Sequence, residues 1–540
     1  MKNRIFMFLC ILCLAFTLFP SGAEAHAELV SVTPAMDAQL DQSPPSVEVI
    51  FNERLDRGNA ELKVLNEASR EVAGGKPEFI EEGKGLRISL PKLSEGHYTI
   101  SFSVISADGH PISGAYVITI GNPAPLTNAS DLDPHNQVGH SHNHGSSGLS
   151  TNTFLLYAAR ILYYAGLLSL AGLLLWRLQR NSPTQVKEVL AQALDLAGKF
   201  TLLAIFAYVF FSLQDLARGE PLADWGRILV ETTIGRLYIV LLLLALFAPI
   251  IAKLPRWIQM LWVMCAVTVE AWSGHAVVFD PRAYTLVLDW LHILAASVWA
   301  GGLLLILALW RKDRPEASRF ALLFSKWALI SFLALWITGT LSTLKFLPSL
   351  EYLMYTSWGT WLLIKVGLSI AVAVVAFLIR LRLKKGDLPR IALLRVDIGL
   401  LCLILVSVGV LTYQTPLPAN QPLNYHQMGT EMHVTLRVSP NSPGNNVFTL
   451  KIWLPDTDGE GVPKQVQLKM IPLSGKDVGA IDVPLEEVKD KELDAFPDFT
   501  KSMYRAEGPY LPFAGEWKAQ IRVTDVNDNE RVVEKEYRIY

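Results

Sequence analysis

The period of the hydrophobic pattern changes along this chain, and each change marks a different kind of structure. Ile5 to Phe19 form a short apolar run behind Lys2 and Arg4, and Ala23-Glu24-Ala25 follows. A basic n-region, an apolar h-region and an A-x-A site together predict a secretory signal peptide over residues 1–25. Further on, Tyr98, Ile100, Phe102 and Val104 alternate with Thr99, Ser101 and Ser103, and Tyr116, Ile118 and Ile120 repeat the pattern. Alternation with a period of two predicts half-buried strands. It then gives way to eight unbroken apolar stretches, near 153–176, 198–217, 233–252, 257–275, 284–310, 320–345, 358–380 and 391–414. Each has roughly the 17 to 25 residues that cross a bilayer. Past residue 420 the alternation returns in Met432, Val434, Leu436 and Val438, in Phe448, Leu450 and Ile452, and in Ala519, Ile521 and Val523. The tail, 420–540, therefore reads as a small β-sandwich. The expected whole is a multidomain membrane protein, with an eight-span all-α domain between two all-β ends.

Charge sets the expected orientation. Arg177, Arg180, Lys187 and Lys199 follow the first stretch, and Lys253 and Arg256 follow the third. Arg311, Lys312, Arg314 and Arg319 follow the fifth, and Arg380, Arg382, Lys384, Lys385 and Arg390 the seventh. The alternate links hold only Arg218 and Arg227, then Arg282, then none between Leu347 and Ser357. Basic links stay in the cytoplasm. Both soluble ends are therefore expected outside the cell membrane, as the signal peptide independently requires. Cys10 and Cys13 leave with that peptide, and Cys265 and Cys402 lie in predicted spans. The soluble domains must stand on their cores rather than on disulfides. A net charge of -2 offers no basic surface for nucleic acid, so none is expected to bind.

Cleavage after Ala25 would leave His26 at the N-terminus, with a free α-amine beside its imidazole. Such a pair can chelate one metal ion, and nitrogen-rich tetragonal coordination suits Cu(II). Ser106-Ala107-Asp108-Gly109-His110-Pro111 joins the two alternating segments. Residues two apart in extended backbone face the same way, and Gly109 lets the chain bend there. Asp108 and His110 can thus converge and complete a four-ligand set with His26. Asp-Gly is also an ordinary turn dipeptide.

These residues resemble the CopC family of extracytoplasmic copper-binding proteins. His26-Ala27-Glu28-Leu29-Val30-Ser31-Val32-Thr33-Pro34, Phe51-Asn52-Glu53 and the Ser106 to Pro111 segment carry the likeness over about residues 26–121. The resemblance implies a Greek-key β-sandwich whose Cu(II) ligands are His26, Asp108 and His110. Met36 alone represents the methionines of the family's Cu(I) site, which puts a second site here in doubt.

Polar residues within the apolar stretches are costly, which makes them functional candidates. His292 lies about 12 Å down the fifth stretch from Tyr284, at 1.5 Å per residue, with Asp289 on the same face. His275 ends the fourth stretch at the outer surface, and Glu270 lies a little deeper. An outer and an inner histidine suggest a stepwise metal path, although each could instead serve helix packing. Met264, Cys265 and Cys402 are soft enough for Cu(I) but more often pack. Tyr157 to Gly172, Ser273-Gly274-His275, Asp289 to Gly302 and Ile337-Thr338-Gly339-Thr340 resemble CopD, over about residues 153–414. That resemblance implies movement of copper inward across the cytoplasmic membrane. The whole is similar to CopC–CopD fusions of the YcnJ type, with a fainter YtkA-like resemblance around Tyr504 to Trp517.

Between the two units, residues 122–152 are rich in Pro, Asn, Ser and Gly and hold His135, His140, His142 and His144. This segment reads as a flexible tether that can also relay metal unselectively. His426, Met428, Met432 and His433 cluster where the tail begins, as a Cu(I) candidate or as core and surface residues. Copper ion and the lipid bilayer are the expected partners, with an extracytoplasmic copper donor or reductase besides. The expected function is copper acquisition without catalysis. The sequence shows no P-loop and no D-K-T-G motif, so a gradient, a copper sink or another subunit must drive it. Extracytoplasmic tolerance or sensing without transport is the alternative. A histidine-brace monooxygenase is a remoter one, because Asp108 would close the open equatorial coordination and the apolar stretches would go unexplained.

One extra residue ahead of mature His26 keeps every side chain but removes the chelating amine. Competition titration should find that this form loses most Cu(II) affinity. The affinity of the native form should also fall with pH, because its amine and imidazoles must shed protons to bind.

Overall fold

Alternating burial in the first domain comes from two facing sheets. The computed structural model describes residues 29–34, 38–51, 54–58, 60–68, 70–107, 109–121, 123, 151–179, 183–217, 225–384, 390–417, 420, 422–429, 431–455, 461–473, 479–488 and 499–540. The signal segment, His26, Asp108 and the linker histidines His135, His140, His142 and His144 lie outside these residues. Strands β1 (Leu29–Thr33), β2 (Gln39–Leu40), β3 (Ser46–Phe51), β4 (Glu61–Asn66), β5 (Glu71–Ala73), β6 (Glu78–Ile80), β7 (Gly85–Ser89), β8 (Gly96–Ile105) and β9 (Pro111–Ile120) build them. One sheet runs β1-β3-β7-β6 and the other β2-β9-β8-β4-β5. Val47, Val49 and Phe51 of one sheet face Ile100, Phe102 and Ile118 of the other. The rings of Phe51 and Phe102 meet edge to face at 5.6 Å. β8 and β9 form an antiparallel hairpin in which Ile105 lies opposite Pro111, so the Asp-Gly-His segment is its tip.

Every apolar stretch contains a helix. These are α1 (Thr151–Trp176), α2 (Thr184–Ala217), α3 (Trp225–Glu231), α4 (Thr233–Phe247), α5 (Arg256–Ser273), α6 (Arg282–Lys312), α7 (Arg314–Phe346), α8 (Ser357–Lys384) and α9 (Ile391–Leu411). Among the described residues, α1, α2, α6, α7, α8 and α9 are long and apolar enough to cross a membrane, which makes six. α3 and α4 form a pair bent by 95° and count as a seventh if taken together. The third stretch is therefore the second half of a broken helix rather than a straight span. The break has a local cause: the Thr232 hydroxyl accepts from Gly235 N–H at 2.9 Å and caps a new helix. A Cβ on Gly235 would lie 2.2 Å from the Ile228 carbonyl oxygen, so only glycine permits the tight return. α5 falls short of the apolar measure, and its 18 residues include Arg256, Gln259 and Glu270.

Small residues let α1 and α6 pack at backbone distance. A Cβ on Gly172 would lie 1.9 Å from Ser297 O, and one on Gly301 would lie 2.4 Å from the carbonyl carbon of Gly172. Such close crossings are the use of glycine in helices that share an apolar environment.

The tail forms a second pair of sheets. Strands β10 (Leu423–Gln427), β11 (His433–Ser439), β12 (Gly444–Pro455), β13 (Gln465–Pro472), β14 (Ile481–Val483), β15 (Glu486–Val488), β16 (Phe499–Leu511), β17 (Gly515–Thr524) and β18 (Glu530–Ile539) build it. The sheets run β10-β11-β12-β16-β15 and β14-β13-β17-β18. Phe448, Leu450, Ile452, Trp517 and Ile521 fill the space between them. Asn420 bonds Tyr540 through both its amide atoms, at 3.0 and 2.8 Å, and so ties the end of the tail to its start.

Gly301→Leu should lower the thermal unfolding midpoint of the detergent-purified protein, since overpacking costs about 1–3 kcal/mol or more. Gly367→Leu is the control, because a Cβ there meets nothing within 4 Å. Its midpoint should stay at the wild-type value by scanning fluorimetry.

Candidate functional site

The tip of the β8–β9 hairpin is locked by its own hydrogen bonds. Ser106 N–H donates to His110 O at 2.8 Å, and Gly109 N–H donates to Ser106 O at 2.9 Å. The Ser106 hydroxyl accepts from His110 N–H at 3.0 Å and faces His110 O at 3.1 Å. Gly109 takes a φ of +88°, where a side chain would strain the backbone. These bonds place His110 on the helical domain. Its ring lies parallel to that of His275, with centroids 5.9 Å apart, and edge-on to Tyr413 at 5.0 Å.

His275 opens a 3-10 turn, His275–Val277, after α5. The Thr285 hydroxyl of α6 donates to Ala276 O at 2.6 Å and holds that turn in place. The sequence puts His275 at an outer surface; in the folded chain the N-terminal sandwich covers it, leaving 9 % exposed. A cavity at the junction is lined by His110, His275, Arg160, Asp215, Tyr208 and Tyr413, among others. The Tyr413 hydroxyl donates to Asp215 Oδ2 at 2.9 Å.

Beneath His275 lies a buried charge network. Glu270 accepts from the hydroxyls of Tyr163 at 2.6 Å and Tyr164 at 2.5 Å. Arg160 donates to Thr412 O at 2.8 Å and to Thr412 Oγ1 at 2.9 Å. Its guanidinium lies 5.6 Å from the ring centres of Tyr208 and Tyr413. Arg160 and Glu270 lie within electrostatic reach of each other.

His292, on α6, has Nδ1 at 2.8 Å from the Thr338 hydroxyl of α7. The single hydroxyl proton of Thr338 goes to Ala334 O at 2.7 Å. With that proton on Ala334 O, Thr338 is an acceptor for His292 Nδ1–H, the tautomer that leaves the lone pair on Nε2. Metal-binding histidines are commonly oriented in this way. Asp289, one turn earlier, lies within electrostatic reach of Glu270, His275 and Lys365.

Among the described residues, no group of three or more His, Cys, Asp and Glu converges as a metal site. His110 and His275 meet, whereas His292 stands apart as one donor. Cys265 and Cys402 are free thiols, and Met264 is exposed at the helix surface. In the tail, His426 bonds Thr435 at 2.7 Å, Met432 is core, His433 packs on Phe499 at 4.3 Å and Met428 is exposed. These four do not share one point. Sequence reasoning missed Arg160, Tyr163, Tyr164, Asp215, Lys365 and Tyr413. Arg160, Asp215 and Lys365 were detectable, because a charge inside an apolar stretch is itself a signal. The tyrosines carry no such mark.

Comparison with known proteins adds identity to this geometry. The CopC domain family matches residues 29–121. The "Copper transport protein CutJ" of Bacillus subtilis is 26% identical over 562 residues, covering 98% of this chain and 98% of that one. Protein YobA of Escherichia coli is 30% identical over 100 residues, covering 18% of this chain and 79% of that protein. The crystal structure of CopC from Methylosinus trichosporium is 26% identical, covers 19% of this chain and 99% of its own, and aligns with a TM-score of 0.18.

The doubly substituted Tyr163→Phe, Tyr164→Phe chain leaves the Glu270 carboxylate buried without its donors. It should lose stability, at about 1.5–3 kcal/mol per hydrogen bond to a charged group. Adding Glu270→Gln should recover part of the loss, since a neutral amide is less costly to bury. Thermal unfolding of the three forms in detergent checks the order.

Proposed function

Because the chain belongs to the CopC family through its N-terminal domain, we propose that it captures copper outside the cell and passes it inward through its helical domain. One observation carries this reading: His110, at the tip of the metal-loop hairpin, stacks on His275 at the mouth of the helices at 5.9 Å. A capture domain that merely buffered copper would have no need to seat its ligand loop there. Full-length similarity to a protein named for copper transport supports the same reading.

In this scheme the α-amine and imidazole of His26, the Asp108 carboxylate and the His110 imidazole hold one Cu(II). The ion leaves by ligand exchange: a His275 nitrogen bonds it as the capture ligands release it, and no electron moves in that step. Glu270 then offers negative charge below, and Arg160 opposes entry of a cation unless Glu270 offsets it. His292, with Nε2 presented by Thr338, is the next nitrogen inward. α3 with α4 and α5 supply the third and fourth of eight membrane segments, the basic links face the cytoplasm, and both sandwiches face outward. The scheme assigns no catalysed reaction to the chain.

A second reading, in which copper is held outside for tolerance or sensing, is favoured by one fact. The described helices contain no assembled site of three or more donors. Radioactive copper uptake across a copper titration separates the two. His110→Ala should reduce uptake severalfold when copper is scarce and less when it is abundant, because excess copper can enter the junction cavity lined by His275 without prior capture. His292→Ala should reduce uptake severalfold throughout. Unchanged uptake in His292→Ala would overturn the inward path and leave the second reading standing.

A further inference from the structure

The N-terminal sandwich makes a second contact with the helices, away from the histidines, and it falls on the break between α3 and α4. Asp56 is 7 % exposed. Its Oδ1 accepts from Gly58 N–H at 2.8 Å, and its Oδ2 accepts from Thr233 N–H at 2.7 Å. Thr233 is the first residue of α4, so that amide has no partner within its helix. The cap of α4 is thus shared: Thr232 of its own chain segment takes one amide and Asp56 of the other domain takes another. A carboxylate is well suited to this place, because the N-terminal end of a helix carries partial positive charge.

The approach is at backbone distance. A Cβ on Gly58 would lie 2.2 Å from Glu231 O and 2.7 Å from Thr232 N. A Cβ on Gly109 would lie 2.9 Å from the Ile234 side chain. Asp56 is also tied to the metal loop. Its N–H donates to Ile105 O at 2.7 Å, Ala107 N–H donates to Arg54 O at 2.9 Å, and Leu55 bridges Ser106. The segment that caps α4 and the segment that carries His110 are therefore held together by backbone hydrogen bonds.

We propose that Asp56 is a positioning residue: it clamps the sandwich to the α3–α4 break and so registers His110 over His275. The effect on transport rests on the function proposed above, whereas the clamp itself is testable without it. Spin labels at Lys76→Cys and Leu350→Cys, both exposed positions, report the distance between the domains in full-length protein whose Cys265 and Cys402 are replaced by serine.

Asp56→Ala should broaden that distance distribution and keep Cu(II) affinity within about twofold of wild type. Its uptake should fall about tenfold at limiting copper and stay near wild type at excess. Thr233→Pro removes the donor, sets a ring carbon against the Asp56 carboxylate in its place, and gives up the long 3.4 Å bond from Arg236 to the Thr233 hydroxyl. Proline is accepted at the first helical position, and Thr232 already has the extended backbone that precedes proline, with φ -85° and ψ 154°. It should reproduce Asp56→Ala, and the double variant should be no worse than either. Asp56→Asn, which keeps one of the two acceptor oxygens and can still cap Thr233 N–H at the expense of the Gly58 bond, should recover part of the docking and uptake. An unchanged distance distribution in Asp56→Ala and Thr233→Pro would overturn the clamp. A broadened distribution with unchanged uptake at limiting copper would overturn the registering role. If the unsubstituted protein imports no copper, the proposed function fails while the distance measurement still decides the clamp.

Discussion

The first amide of α4 has no carbonyl one turn behind it, and a carboxylate from another domain supplies the missing acceptor. The 2.7 Å bond between Thr233 N–H and Asp56 Oδ2 joins a buried anion to the positive end of a helix. Much of the junction is arranged around it. The helix is free to begin at Thr233 because Thr232 and Gly235 end α3 there. The sandwich can come this close because Gly58 and Gly109 carry no side chain at the contact. With the domain held there, the hairpin tip falls on the turn that starts at His275.

Burial makes each polar group beneath that junction depend on a partner. Glu270 is held by two phenol hydroxyls, Arg160 by the end of α9 and two aromatic faces, and His292 by a threonine whose own proton is already committed. Each arrangement fixes more than stability. The tyrosines direct two hydrogen bonds at Glu270 below the junction cavity, and Thr338 fixes the orientation of the His292 ring.

The tail sandwich is built differently from the first, on its own core of Phe448, Ile452 and Trp517. Its last residues reach back to the helical domain: the Arg538 guanidinium lies 4.3 Å from the ring centre of Tyr355, and the ring of Tyr540 lies 5.8 Å from that of Tyr352. Two β-sandwiches thus rest on the helices, one on the α3–α4 break and one on the turn before α8. Only the first brings a histidine to the junction cavity.

Much of this was readable in order along the chain. Alternation at Tyr98 to Val104 and Tyr116 to Ile120 is local, so the β8–β9 hairpin and its Asp-Gly-His tip could be placed without a fold. The apolar stretches are equally local, and helices occupy them. The run of small residues from Ala295 to Gly302 is local as well, and in the fold its Gly301 meets Gly172 at backbone distance. What sequence could not supply was the partner of each polar group. Nothing adjacent to Asp56 marks it as the cap of a helix 177 residues away. Nothing near His275 says that another domain will bury it. The break at Thr232 hides in an ordinary threonine, because a helix and a helix that restarts share the same composition. A hydrophobic period records which side of an element is buried. Only the tertiary structure decides what lies against that side, since a hydrogen bond or a ring contact needs both of its atoms in place.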